Sequence, residues 1–138
     1  MNDSIDVYVD GSLRKNKFGG WFIIVGSDLI ISYFHKSVMF LKNSQKAERN
    51  AVREAIIVTN QLYPNSIVNL YTDCTNNFSK FMDTEKIKLV YADTKHDYSI
   101  KRFMKHAHRL ARKGAKNSER NYKQLQLRKN KICLKKTV

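Results

Sequence analysis

Hydrophobic and polar positions divide the chain into segments of two periods. Residues 5–10, Ile-Asp-Val-Tyr-Val-Asp, alternate strictly, with Ile5, Val7 and Val9 on one face, as a strand does. Gly11-Ser12 punctuates that run, and Arg14 to Lys17 reads as a polar turn. Gly19-Gly20 leads into an unbroken apolar run, Trp21 to Val25, which predicts a second, buried strand closed by Gly26-Ser27-Asp28. Leu29 to Phe34 predicts a third strand, and its short connection implies an antiparallel hairpin. From about Ala47 to Leu62 the period becomes helical, and Pro64-Asn65-Ser66 stops it. Ile67 to Thr72 is a fourth strand, Phe78, Phe81 and Met82 mark a short helix, and Ile87 to Ala92 is a fifth strand. Ile100, Phe103, Met104, Ala107, Leu110 and Ala111 then follow the spacing of an amphipathic helix. The order βββαβαβα predicts an α/β fold: a five-stranded mixed sheet flanked by helices.

With 138 residues, 42% of them hydrophobic, the chain can bury one core without metal or disulfide staples. Cys74 and Cys133 form no framework or ligand pattern, and we read them as reduced thiols. No apolar run approaches the ~20 residues of a membrane span, and the N-terminus lacks the build of a signal peptide. A soluble, cytoplasmic monomer is expected.

Charge changes the picture at one end. The net charge of +14 points to a polyanionic partner, most simply nucleic acid. Residues 112–138 carry 10 basic side chains and 1 acidic one, against 16 and 11 in residues 1–111. That contrast suggests a domain over residues 1–113 and a basic extension over 114–138. A tail or a short helix packed back on the domain would also fit. An arm that tracks phosphates is the favoured reading, because charge of one sign this dense has few other uses.

Three carboxylates sit where they cost energy. At 100° per residue, Ala51, Val52, Ala55 and Leu62 all fall within about 60° of Glu48, which centres it on the apolar stripe of its helix. A carboxylate on that inward face needs a cation. Asp10 and Asp73 each end a strand that is otherwise core. Carboxylates from separate elements facing one point repel each other unless divalent cations are bound, and oxygen-only ligation suits Mg²⁺ or Mn²⁺. Carboxylate-bridged pairs of such ions hydrolyse phosphodiesters.

In this order along the chain, Val7-Tyr8-Val9-Asp10-Gly11-Ser12, Phe18-Gly19-Gly20-Trp21, Asn43 to Glu48 continuing through Ala51 to Ala55, Leu70-Tyr71-Thr72-Asp73, and Ala107 to Arg112 resemble the type 1 ribonuclease H family. The resemblance covers residues 5–112. It implies that Asp10, Glu48 and Asp73 are catalytic metal ligands for two Mg²⁺ or Mn²⁺ ions. The fourth position, usually Asp, is His108 here. Imidazole is a poorer ligand for Mg²⁺ than carboxylate, so weaker metal binding and a preference for Mn²⁺ are expected. Asp93 and Asp97 are the rival fourth carboxylates. His96 matches a loop where the family often has a His that assists protonation or product release. Substrate contacts are implied at Gly11, Ser12, Asn16, Ser44 and Thr75 or Asn76, with Gly11 allowing close approach to a phosphate. The family's basic helical protrusion has no room between Phe78 and Lys86, and the C-terminal arm is the candidate replacement.

The activity implied is endonucleolytic hydrolysis of the RNA strand of RNA/DNA hybrids, leaving 5′-phosphate and 3′-hydroxyl ends. Two alternatives keep the fold: a resolvase- or transposase-like DNA nuclease, and a non-catalytic hybrid- or RNA-binding module.

Overall fold

The computed structural model describes residues 4–15, 18–26, 31–39, 44–73, 87–91 and 98–136. Three strands come first: β1 (Ser4–Arg14), β2 (Phe18–Gly26) and β3 (Ile31–Met39). Helix α1 (Ser44–Leu62), β4 (Ile67–Thr72), β5 (Ile87–Tyr91) and α2 (Tyr98–Lys136) follow. The five strands form one mixed sheet in the order β3-β2-β1-β4-β5. β1 pairs antiparallel with β2, and β2 with β3, whereas β1–β4 and β4–β5 are parallel. The mixed α/β fold expected from the pattern is therefore found. The short helix expected around Phe78 to Met82 lies outside the described residues.

The first two strands outrun their apolar patterns. β1 runs through Gly11-Ser12 to Arg14, because β2 pairs with it residue for residue from Asp6↔Gly26 to Arg14↔Phe18. β1 ends at Arg14, and Lys15, in the turn that follows, takes a φ of 55°. β3 extends past Phe34 to Met39, paired with β2 throughout, and Leu29 and Ile30, expected to open it, lie outside the described residues.

Alternation along the strands builds two cores, one on each face of the sheet. Ile5, Val7, Val9, Trp21, Ile23, Val25, Val68 and Leu70 pack with Ala51, Val52 and Ala55 of α1. Tyr8, Phe22 and Ile24 pack with Met104, Ala107 and Ala111 of α2. This explains why Trp21 to Val25 reads as a continuous apolar run: helices cover both sides. Leu62 corrects the predicted stripe, since it lies at the helix end and is 49% exposed. Buried Thr59 takes the inner position one turn earlier, its hydroxyl donating to the Ala55 carbonyl.

The larger departure is α2. Its pattern predicts an end near Ala111, and the expected boundary at residue 113 falls inside one continuous helix that reaches Lys136. Ala111, Gly114, Ala115, Ser118 and Glu119 are all buried. Gly20 is the reason the helix can lie so low. A Cβ there would run into the backbone of Gly114 and Ala115, so a larger residue would lift α2 off β2. Ser118 Oγ donates to the Gly19 carbonyl at 3.0 Å, and the rings of Phe18 and Tyr122 meet at 5.5 Å. Beyond Tyr122, residues 123–130 are exposed. No helix among the described residues is long and apolar enough to cross a membrane.

Candidate active site

Asp10, expected to end its strand, lies within the central strand, four residues before β1 ends at Arg14, on the face opposite Val9 and beneath α2. Its side chain is 5% exposed, and His108 Nδ1 lies 2.6 Å from its Oδ2. Burial pushes the carboxyl above its usual pKa, while the hydrogen bond and charge of His108 and the Gly11 backbone N–H pull the other way without cancelling it. His108 is held from the helix side. Met104, Ala107 and Ala111 sink into the core around it, leaving His108 at the rim of the stripe with its side chain 57% exposed.

Gly11 sets where Glu48 stands. A Cβ on Gly11 would collide with the carbonyl of Ala47 and come within 2.7 Å of the Glu48 nitrogen. The first turn of α1 thus rests directly on the residue after Asp10. In this structure the room that glycine leaves is filled by α1, where a phosphate contact had been expected. Ala47 is fully buried and Glu48 half-buried.

Asp73 follows the last residue of β4 and is half-buried. The parallel register runs Ser4↔Ile67 to Tyr8↔Tyr71. Asp73 comes two residues after Tyr71 and Asp10 two residues after Tyr8, so both follow directly on the paired stretch. The rings of Tyr8 and Tyr71, two residues before the aspartates, stack at 4.9 Å. The topology therefore brings Asp10, Glu48, Asp73 and His108 to the region where the β1–β4 pairing ends. Among the described residues, no three His, Cys, Asp or Glu side chains stand close enough to hold one metal ion.

Ser12 is half-buried in β1, paired with Gly20. Ser44 is the first residue of α1. Asn16, Thr75, Asn76, Asp93, His96 and Asp97 lie outside the described residues.

Two features escaped the sequence reading. A groove beside His108 is lined by cations of α2, among them Lys101, Lys105, Arg109, Arg112 and Lys116. Arg109 Nη2 lies 2.7 Å from Nδ1 of neighbouring His106, whose pKa is lowered by burial and by Arg109 and Arg102. The second feature is a buried ionic knot. Glu119, 8% exposed, receives Arg14 Nε at 2.6 Å, Lys15 Nζ at 3.0 Å and Lys123 Nζ at 3.1 Å. Hydrogen bonds from Lys15, Arg14 and Lys123 hold its carboxyl down to a pKa of about 2. The knot ties α2 to the β1–β2 turn. Its signal in the sequence is that Glu119 is the one acid among ten bases.

A family model described as RNase H matches residues 2–138. Among solved structures, RNase H1 from the halophilic archaeon Halobacterium salinarum shares 16% identity at a TM-score of 0.57, covering 83% of this chain and 98% of that one. LC11-RNase H1 in complex with an RNA/DNA hybrid shares 12% identity at a TM-score of 0.54, covering 82% and 97%. A foamy viral protease-reverse transcriptase in complex with double-stranded DNA shares 19% identity at 0.54, covering 81% and 92%. No curated protein matches the chain.

Proposed function

The chain belongs to the ribonuclease H family of nucleases, and on that footing we propose that it hydrolyses the RNA strand of RNA/DNA hybrids with divalent cations as cofactor. The observation that carries the reading is the buried Asp10 in the central strand, braced by His108 at 2.6 Å. A carboxylate buried at energetic cost, beside a groove lined by cations, is poor design for a plain binding module. It suits a site that recruits positive charge as part of its chemistry.

Asp10 and its surroundings fit a hard divalent cation. The carboxyl is penalised by burial, and the charge of a divalent ion would relieve that penalty. Asp10, Glu48 and Asp73 would hold the ions, with His108 as the fourth group, and the set would close around them. The imidazole shifts the preference from Mg²⁺ toward Mn²⁺. Bound ions of this kind lower the pKa of water and stabilise the leaving oxygen of a phosphodiester. The protein's own part is positioning. Strand β1 fixes Asp10, the end of β4 would place Asp73, and Gly11 seats the first turn of α1, from which Glu48 would join them. His108 holds Asp10 in one rotamer and screens its charge from an approaching phosphate. Water attack on phosphorus would leave 5′-phosphate and 3′-hydroxyl ends.

The test is cleavage of an end-labelled RNA/DNA hybrid beside duplex DNA, single-stranded RNA and a four-way junction, each in Mg²⁺ and in Mn²⁺. Hybrid-selective cleavage lost in Asp73→Asn is the expected result. Junction cleavage would assign a resolvase-like activity, and binding without cleavage in either metal would assign a binding module.

A further inference from the structure

The basic residues of α2 are placed with a regularity that the tail as a whole lacks. At 100° per residue, Lys101, Lys105, Arg109, Arg112, Lys116 and Lys123 fall within a sector about 80° wide. All six are exposed. Arg102, Lys113 and Arg120, also exposed, flank them on one side. His108 lies about 20° beyond the other edge of the sector. The stripe therefore passes beside Asp10, between Lys105 and Arg109, and spans about 33 Å along the helix at 1.5 Å per residue, close to one turn of a nucleic-acid duplex, about 34–36 Å. Past Lys123 the pattern breaks: Arg128 and Lys129 fall about 140° and 120° from Lys123, on opposite sides of it.

Glu119 is the single acid between residues 98 and 136, and it is buried against Arg14 and Lys15 as well as Lys123. It leaves the stripe's field largely uncompensated. Among the described residues, no ion pair involves Lys101, Lys105, Arg112 or Lys116. The opposite face of α2, with Met104, Ala107, Ala111, Ala115 and Ser118, is buried against the sheet. No apolar face remains over these turns to enter a bilayer, which argues against a membrane surface as the partner.

We infer that the outward face of α2 from Lys101 to Lys123 is the surface that tracks the phosphate backbone of the hybrid, and that the terminal segment 124–138 is not. This rests on the proposed nuclease reading and assigns that site's electrostatic grip. A rigid helix docked through Gly20 and Glu119 presents the charges in fixed register with Asp10, which a flexible arm could not do. Contacts of this kind are independent of sequence and release counterions.

The experiment measures affinity for a labelled hybrid against salt concentration. It uses the full chain carrying Asp10→Asn, so that substrate is not consumed. Combining Lys105→Gln, Arg112→Gln and Lys116→Gln should weaken binding at least about tenfold near 0.1 M salt and flatten the log–log salt slope by about 2 to 3. Arg128→Gln with Lys129→Gln should leave both nearly unchanged. Thermal melts confirm that each protein folds. Unchanged affinity and slope in the triple variant would overturn the inference, as would losses confined to the Arg128 and Lys129 pair. Stripe-dependent binding to phosphatidylserine vesicles that exceeds binding to the hybrid would overturn it too. Cleavage by the otherwise unaltered chain is read in parallel. Stripe-dependent binding without any cleavage supports the surface and removes the nuclease reading, whereas cleavage with a silent stripe does the reverse.

Discussion

His108 and Asp10, 98 residues apart in sequence, meet at 2.6 Å where the long helix crosses the central strand. One partner is buried and the other is more than half exposed. The pair thus links the core of the domain to the groove that faces solvent.

Asp10 costs the fold stability. Its folded pKa is raised by burial, so the folded state favours the protonated carboxyl. The related stability is present below the unfolded pKa and is lost as pH rises through the folded value. Asp10→Asn should therefore melt higher than the parent protein at pH 7, with the advantage shrinking as pH falls toward 4. Cleavage should drop by at least about 100-fold. Melting curves across that pH range, run without divalent metal, check the trend, and a lower Tm at pH 7 would contradict it.

His108→Asp tests how the fourth position works. A second carboxylate beside Asp10 adds like-charge repulsion, so the variant should melt below the parent in chelator. Millimolar Mg²⁺ should raise its Tm more than it raises the parent's. His108→Ala should reduce cleavage by about 10- to 100-fold, the range for a group that orients a metal ligand. Equal Mg²⁺ shifts in the parent and His108→Asp would count against a metal at this position.

Gly11→Ala should damage fold and site together. Its methyl group meets the backbone of Ala47 and Glu48, which has no rotamer to yield. Overpacking costs about 1–3 kcal/mol, a fall in Tm of roughly 3–10 °C for a domain of this size. Cleavage measured well below the new Tm should still be depressed, because α1 is pushed away from Asp10. Full activity there would mean that Glu48 does not depend on this contact.

Glu119→Gln reports on the docking of α2. The carboxyl's pKa is lowered to about 2, so its contribution is present above the unfolded value of 4.5 and is lost as pH falls toward 2. The variant should melt lower than the parent at pH 7, and the two curves should converge at the acid end. A constant difference across pH would assign the effect to packing.

The sheet and α1 were legible because strict alternation and a 3.6-residue period need only one face to pack. Asp10, Glu48 and Asp73 stood out because each interrupts an apolar pattern. The extent of α2 was hidden by size. Its contact residues past Leu110 are Ala111, Gly114, Ala115 and Ser118, small side chains that a hydrophobicity pattern scores weakly, although they recur at helical spacing. They are small because Gly20 brings the two backbones together, a fact that only the tertiary structure supplies. The knot at Glu119 joins residues over 100 apart, and no local pattern announces it.

The central claim is metal-assisted water attack on the RNA strand, with Asp10, Glu48 and Asp73 as the metal-binding set. The most direct measurement is mass spectrometry of the RNA fragments from a defined hybrid, with and without chelator, for the parent protein and Glu48→Gln. The account predicts 5′-phosphate and 3′-hydroxyl ends, formed only when Mg²⁺ or Mn²⁺ is present and lost in Glu48→Gln. Fragments with 2′,3′-cyclic phosphates and 5′-hydroxyls, formed in chelator and unaffected by Glu48→Gln, would contradict it.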